Sequence, residues 1–169
     1  CFRGGRQPGG VGRVFGGQVI AQGLMAAMQC VDPDRTCHSL HVYFMRGGNE
    51  ELAIDYSVTR DFDGGSFSTR RVTAMQEARP ILTMTASFHR PEAGFEHQDS
   101  MPDVPGPEDL PTERQRLERE TDAETAAKMT RFSDIRPIEM RWVEQRRFVE
   151  PVAADPRARA WVRLQGPIG

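Results

Sequence analysis

The chain has 169 residues, 38% hydrophobic and 27% charged, with a formal net charge of -2. This is the composition of a soluble globular protein of one domain, or one domain and part of another. It gives no basis for nucleic-acid binding, and no apolar run is long enough to span a bilayer. Cys1, Cys30 and Cys37 form an odd set without paired spacing, which points to free thiols in a reducing compartment. The cytoplasm is therefore the expected location. The sequence opens on Cys1 rather than on methionine, so upstream residues are expected.

Residues 1–13 (CFRGGRQPGGVGR) are glycine-rich and read as a loop or a short first strand. A helix is predicted from about Phe15 to Cys30. Its apolar positions Val19, Ile20, Leu24, Ala27, Met28 and Val31 recur at three and four residues. Pro33 ends it. Gly16, Gly17 and Gly23 stand out here, because a glycine costs about 0.5–1 kcal/mol relative to alanine inside a helix.

The period then changes to two. His38–Gly47 reads as a strand with Leu40, Val42 and Phe44 on one face, and Glu51–Phe62 follows with Leu52, Ile54, Tyr56 and Val58 in phase. Asp63-Gly64-Gly65 is a strong hairpin signal leading into Ser66–Gln76. A turn at Glu77–Pro80 leads to Ile81–Arg90. One helix followed by four long strands predicts an α+β unit with an antiparallel meander. Pro91–Pro111 is a proline-rich linker. Two weak capping boxes, Thr112-x-x-Gln115 and Thr121-x-x-Glu124, suggest short helices over 113–120 and 122–131. Strands are predicted again at Ile138–Phe148 and Arg159–Gly166. The expected organisation is a first domain over 1–92, a linker with short helices over 93–134, and a truncated second domain over 135–169.

The blocks FRGG, VFGGQVIAQGL, HSLHVYFMRGG, RDFDGGSFSTRRVTAMQ and ILTMTASFHRPEAGFEHQ, with the later IEMRWVE and AWVRLQG, resemble the acyl-CoA thioesterase II family over nearly the whole chain. The resemblance implies a double hotdog fold, each half an antiparallel sheet wrapped around a long central helix. It implies hydrolysis of fatty acyl-CoA to free acid and CoA by activated water, with no metal or other cofactor. It also implies that this chain is the first half, the linker and the start of the second half. The Asp, Thr and Gln set that activates water in this family belongs to the second half. No residue of this sequence matches it, so the catalytic residues are expected beyond Gly169.

Candidates for substrate binding remain in the first half. Gly16 and Gly17 place free N–H groups at the helix start, where they face a carbonyl or phosphate or simply serve the turn. Gly23 suits close packing of helix on sheet. Gln18 can orient a water or carbonyl, or serve as a cap. His38 either faces a groove or is a structural histidine at a strand end. In Ser66–Arg71, Arg70 and Arg71 point to opposite faces, and one of them can pair with a CoA phosphate, or each belongs to a salt-bridged face. His38 and His41, three apart on a strand, are expected on opposite faces and so cannot share a metal ion. The Gly10, Gly12 and Gly16 spacing does not follow a strand in a βαβ unit, so it predicts no dinucleotide site.

The partners expected are acyl-CoA and further copies of the chain, with no nucleic acid and no membrane. A homo-oligomer is expected because a hotdog half buries one face or edge against another half. Two other readings are a non-catalytic acyl-CoA-binding or dimerisation module, and a hotdog hydratase. The hydratase needs a histidine near the helix start, which this sequence lacks.

Overall fold

The computed structural model describes residues 1–5, 12–135, 138–144, 147, 149–150 and 152–165. Gly10 of the glycine spacing, and Phe148 and Gly166 at two predicted strand ends, lie outside these residues. The chain divides into two compact units, Cys1–Glu96 and His97–Gly169.

The first unit contains strand β1 (Phe2–Gly4), helix α1 (Gly16–Met28) and strands β2 (Thr36–Phe44), β3 (Ile54–Asp63), β4 (Phe67–Gln76) and β5 (Arg79–His89). All pairings are antiparallel, and the strand order is β1-β3-β4-β5-β2. The meander is thus real for β3, β4 and β5, but β2 joins the far edge, beside β5. The 45–53 connection is too long for a tight turn and carries the chain across the sheet. Gln76 holds it: its buried amide donates to the Asn49 and Leu52 carbonyls at 2.8 and 3.0 Å and accepts from the Asn49 N–H at 2.8 Å.

Alternation along the strands decides what the sheet buries. Tyr56, Val72, Ala74, Leu82, Met84, Ala86 and Phe88 face α1, which returns Val19, Ala26 and Ala27 to the same core. Each large side chain sequestered here contributes on the order of 1.5–3 kcal/mol. Gly23 packs in this interface as expected. A methyl group there would still meet Met84 and Tyr56 only at ordinary contact distances of 3.4 and 3.6 Å.

A buried guanidinium closes the structure at the end of α1. Arg70 is 1% exposed. Its Nε and one terminal nitrogen donate to the Cys30 carbonyl at 3.0 and 2.8 Å, just past the helix C-terminus. It also donates to the Phe62 and Thr69 carbonyls, both at 2.9 Å, and pairs with Asp63. Arg35 works beside it, donating to the Phe67 and Gly64 carbonyls at 2.7 and 2.9 Å and to the Ser68 hydroxyl. Ser68 in turn donates to Asp63 at 2.7 Å. The β3–β4 hairpin predicted from Asp-Gly-Gly is therefore held by two arginines from behind.

The β4–β5 hairpin has a different origin. Glu77 and Ala78 both have positive φ, 47° and 59°. That pair of values belongs to the two-residue turn that suits strand twist and normally selects Asn-Gly. The turn expected over Glu77–Pro80 is therefore present but confined to Glu77 and Ala78, with Arg79 and Pro80 already in β5. Its left-handed geometry is not one these residues signal, and the backbone is strained there.

The second unit contains a short 3-10 turn (Pro107–Asp109), helices α2 (Glu113–Leu117) and α3 (Ala123–Ile135), and an antiparallel pair, β6 (Ile138–Trp142) and β7 (Ala160–Leu164). The Thr112 capping box forms: Gln115 N–H donates to the Thr112 hydroxyl at 3.2 Å, and Thr112 N–H donates to the Gln115 side chain at 2.9 Å. The second box shifts by one residue. Asp122, not Thr121, accepts the Thr125 N–H, at 2.9 Å, because a carboxylate matches the positive helix start better than a hydroxyl. Strand β6 stops six residues short of its predicted end.

Three predictions follow from these contacts. Arg70→Ala should cost about 2–3 kcal/mol in denaturant unfolding, since it takes the donor from the Cys30 and Phe62 carbonyls and empties a buried site, whereas Arg71→Ala should stay within about 0.5 kcal/mol. The Ser68 hydroxyl first, and Arg70 second, hold the Asp63 carboxyl below the usual carboxylate range. Its folded pKa is thus below the unfolded value of about 3.9, so its stabilisation is complete above that pH and is lost as pH falls through the folded value. Unfolding curves of wild type and Asp63→Asn should accordingly converge as the solution is acidified. Ala78→Gly should raise stability by about 1 kcal/mol by relieving the left-handed backbone, read as a higher thermal midpoint.

Candidate functional site

The candidates from the sequence divide into those the fold gathers and those it sets apart. Gly16, Gly17 and Gln18 lie together at the front of α1. The helix starts after Phe15, whose side chain makes no cap, and no acidic residue occupies the first turn. The positive end of the helix thus has no counter-charge within its own first turn. A side chain at Gly16 would meet the ring of Phe44 at 2.9 Å, and one at Gly17 the ring of Phe15 at 2.5 Å. Both rings are about half exposed. The two glycines therefore let aromatic rings lie against bare backbone.

Gln18 has a structural partner. Its amide donates to the Gly5 carbonyl at 3.2 Å, and Gln22, one turn on, donates to the same carbonyl at 3.1 Å. Gln22 also accepts from the Tyr56 hydroxyl at 2.9 Å. Burial pushes the Tyr56 phenol upward in pKa, so it remains a donor throughout the physiological range. These bonds fasten the start of the chain to the helix.

His38 faces away from α1. Its Nε2 lies 2.8 Å from the Ser87 hydroxyl, and its ring stands edge-on to Phe67 and His89 at 5.8 and 5.9 Å. The register of β2 on β5 shifts between Cys37 and Ser39, so His38 is the extra residue of a bulge. His41 lies opposite Thr85 and against Tyr43, on the same outer face as Ser87. The expectation of opposite faces for His38 and His41 is therefore wrong, because it assumed an unbroken strand. Among the described residues no group of three or more His, Cys, Asp or Glu is arranged to hold a metal ion.

Arg70 requires the larger correction. It points into the core, and its donors are engaged by carbonyls and Asp63, so it is not presented to a dissolved phosphate. Arg71 points outward and pairs with Asp61 at 3.2 Å.

The sequence reading also missed residues. A cavity of about 460 Å³ opens beside the front of α1, and Arg13, Gly16, Val19, Phe44, Arg46 and Ile81 are among the residues that line it. Val14 N–H donates to the Gly48 carbonyl at 2.9 Å, which draws the segment before the helix against the end of β2. The available signal was the repetition of arginine beside paired glycines, in Arg13-Val14-Phe15-Gly16-Gly17 and in Arg46-Gly47-Gly48.

Comparison with known proteins places this geometry. A family model described as the acyl-CoA thioesterase N-terminal domain matches residues 5–89. Acyl-CoA thioesterase 2 of Haemophilus influenzae is 43% identical over 140 residues, which are 83% of this chain and 49% of that protein. The chain spans about half the length of the curated relatives it matches. Among solved structures, an acyl-CoA thioesterase II from Mycobacterium marinum superposes with a TM-score of 0.71 at 33% identity, over 99% of this chain and 56% of that one. A hot dog fold protein from Alicyclobacillus acidocaldarius, 24% identical with a TM-score of 0.65 over 90% of this chain and 52% of that one, shares the fold. With the domain model matched across half its residues, the chain belongs to the acyl-CoA thioesterase II family and carries a hotdog fold.

Proposed function

We propose that this chain is the first hotdog unit of an acyl-CoA thioesterase, an enzyme that converts fatty acyl-CoA and water to a free fatty acid and CoA. The observation that carries this reading is the match of residues 5–89 to the thioesterase N-terminal domain. In this reaction a general base takes a proton from water, and the water oxygen bonds to the thioester carbon. The C–S bond breaks, and the CoA sulfur leaves and is protonated. The base and its partners are proposed to be the Asp, Thr and Gln of a second hotdog unit. Gly16 and Gly17 are proposed to face the substrate at the helix front, and His38 is retained as a candidate on the outer face.

The two edges of the sheet support association with another hotdog unit. Beyond its short pairing with β1, the open part of β3 carries Arg60 and Asp61 and a register break, which discourage further pairing. The open edge of β2 has neither lysine, arginine nor carboxylate from Thr36 to Phe44, and it exposes Leu40 and Tyr43 at 40% and 64%. An unprotected edge of that kind favours a second strand. The proposed occupant is another hotdog unit, either a second copy of the chain or the other half of a double hotdog. The cytoplasm is the proposed location, on the basis of the sparse, unpaired cysteines.

One observation favours the second reading, a non-catalytic acyl-CoA-binding module, for residues 1–169 on their own. The polar side chain at the helix front, Gln18, bonds to the Gly5 carbonyl.

The decisive assay is release of free CoA thiol from a medium-chain acyl-CoA, with the cysteines blocked. A polypeptide carrying both hotdog units should turn over, and residues 1–169 should not. Binding without turnover by the longer polypeptide would establish the module reading instead. In light scattering the 169-residue chain should run as a dimer or larger, and Leu40→Lys should shift it towards monomer. A wild-type particle of a single chain's mass would exclude the edge pairing.

A further inference from the structure

We propose that the cavity at the front of α1 is an anion subsite that receives the phosphates of coenzyme A, held by Arg13 and Arg46. The inference rests on the acyl-CoA reading above and names which part of the substrate this half takes.

Charge is the first reason. Most arginines of the first unit with a carboxylate in reach use it: Arg3 with Asp55, Arg70 with Asp63, Arg71 with Asp61, Arg90 with Asp34. Among the described residues Arg13 makes no hydrogen bond or ion pair, and the Arg46 guanidinium makes a single hydrogen bond, to the Pro80 carbonyl, and no ion pair. No carboxylate lines the cavity among the described residues. Glu50 accepts the Gly12 N–H at 2.8 Å and is not one of the lining residues. The helix front adds positive potential, again with no acidic residue in its first turn. Two guanidinium groups in a cavity with no internal counter-charge favour an anion from solution.

Shape is the second reason. At about 460 Å³ the cavity has the size of small-molecule sites. Val19 and Ile81 give it a buried apolar floor, while Phe44 and Met45 are half exposed at its side. The Arg13 guanidinium lies along the bare backbone of Gly47, where a side chain would touch its Cδ and Nε at 3.5 Å. The glycine thus leaves room for the Arg13 side chain beside the backbone. Planar guanidinium groups match phosphate oxygens two at a time, and the adjacent apolar surface suits the non-ionic parts of the same molecule. A fatty carboxylate needs one cation; two arginines that pair with no carboxylate among the described residues fit the several phosphate groups of CoA better.

The test is calorimetric titration of the 169-residue protein with CoA and with pantetheine, which has the same thiol arm and no phosphate. CoA should bind and pantetheine should bind at least about tenfold more weakly, the difference shrinking as salt is added. The double variant Arg13→Ala, Arg46→Ala should lose about tenfold or more in CoA affinity, with pantetheine unchanged. Arg79→Ala, outside the cavity, should bind CoA as wild type does. Should the alanine pair unfold, Arg13→Gln with Arg46→Gln keeps length and polarity and should show the same loss. Undiminished CoA binding by the folded double variant, no CoA binding by wild type, or displacement of CoA by dodecanoate alone would each overturn the subsite. Arginine-dependent CoA binding without thiol release by the longer polypeptide would keep the subsite and remove the thioesterase reading. Thiol release with an unaltered KM in the double variant would do the reverse.

Discussion

The first unit depends on where one guanidinium is buried. A helix ends with carbonyl groups that lack partners within the helix, and a buried cation needs acceptors on every side. Arg70 answers both needs at once, because its fork reaches the Cys30 carbonyl beyond α1, the Phe62 carbonyl and Asp63 at the end of β3, and its own strand. Fixing the last turn of α1 against the β3–β4 hairpin sets the direction of the helix across the sheet. The helix front is thereby directed to the other end of the sheet, where Gly48 and the end of β2 meet Val14.

Much of this fold was legible in the sequence, and the reasons are local. Val19, Ala27 and their neighbours repeat at helical spacing because one face of α1 is buried, and the even-numbered residues of β4 and β5 alternate because one face of the sheet is. The family resemblance then supplied the hotdog name that periodicity cannot give. Pairing order was not legible. Nothing in HSLHVYF says whether its partner is the next strand or the last, since both offer an alternating apolar face; Gln76, a buried residue far along the chain, fixes the crossover. The turn after β4 was legible in place but not in type, because Glu77 and Ala78 contradict the left-handed geometry they adopt.

The candidate site was legible only in part. Gly16 and Gly17 were found because glycine is costly in a helix, so its presence calls for an explanation. Arg70 was misplaced because a sequence shows that an arginine is cationic but not that a helix end awaits it. Its neighbour Arg71, chemically identical, lies in solvent beside Asp61. Arg13 and Arg46 escaped notice because what marks them out is their place beside one cavity that no carboxylate lines among the described residues, a property of three-dimensional surroundings.

The bulge at His38 gives β2 a tolerance that an unbroken strand lacks. Cys37 lies opposite Phe88 and Leu40 opposite Ala86, and Ser39 opposite Ser87 lies between them. Removing His38 would leave those three pairings in unbroken succession, with Cys37 and Leu40 still turned toward the helix. In β4, where every residue from Phe67 to Gln76 has a partner on β5, the loss of one residue would turn the following core side chains outward and expose them. The chain can therefore gain or shed a residue at this point, changing the chemistry of the outer surface while the hydrophobic interior keeps its register.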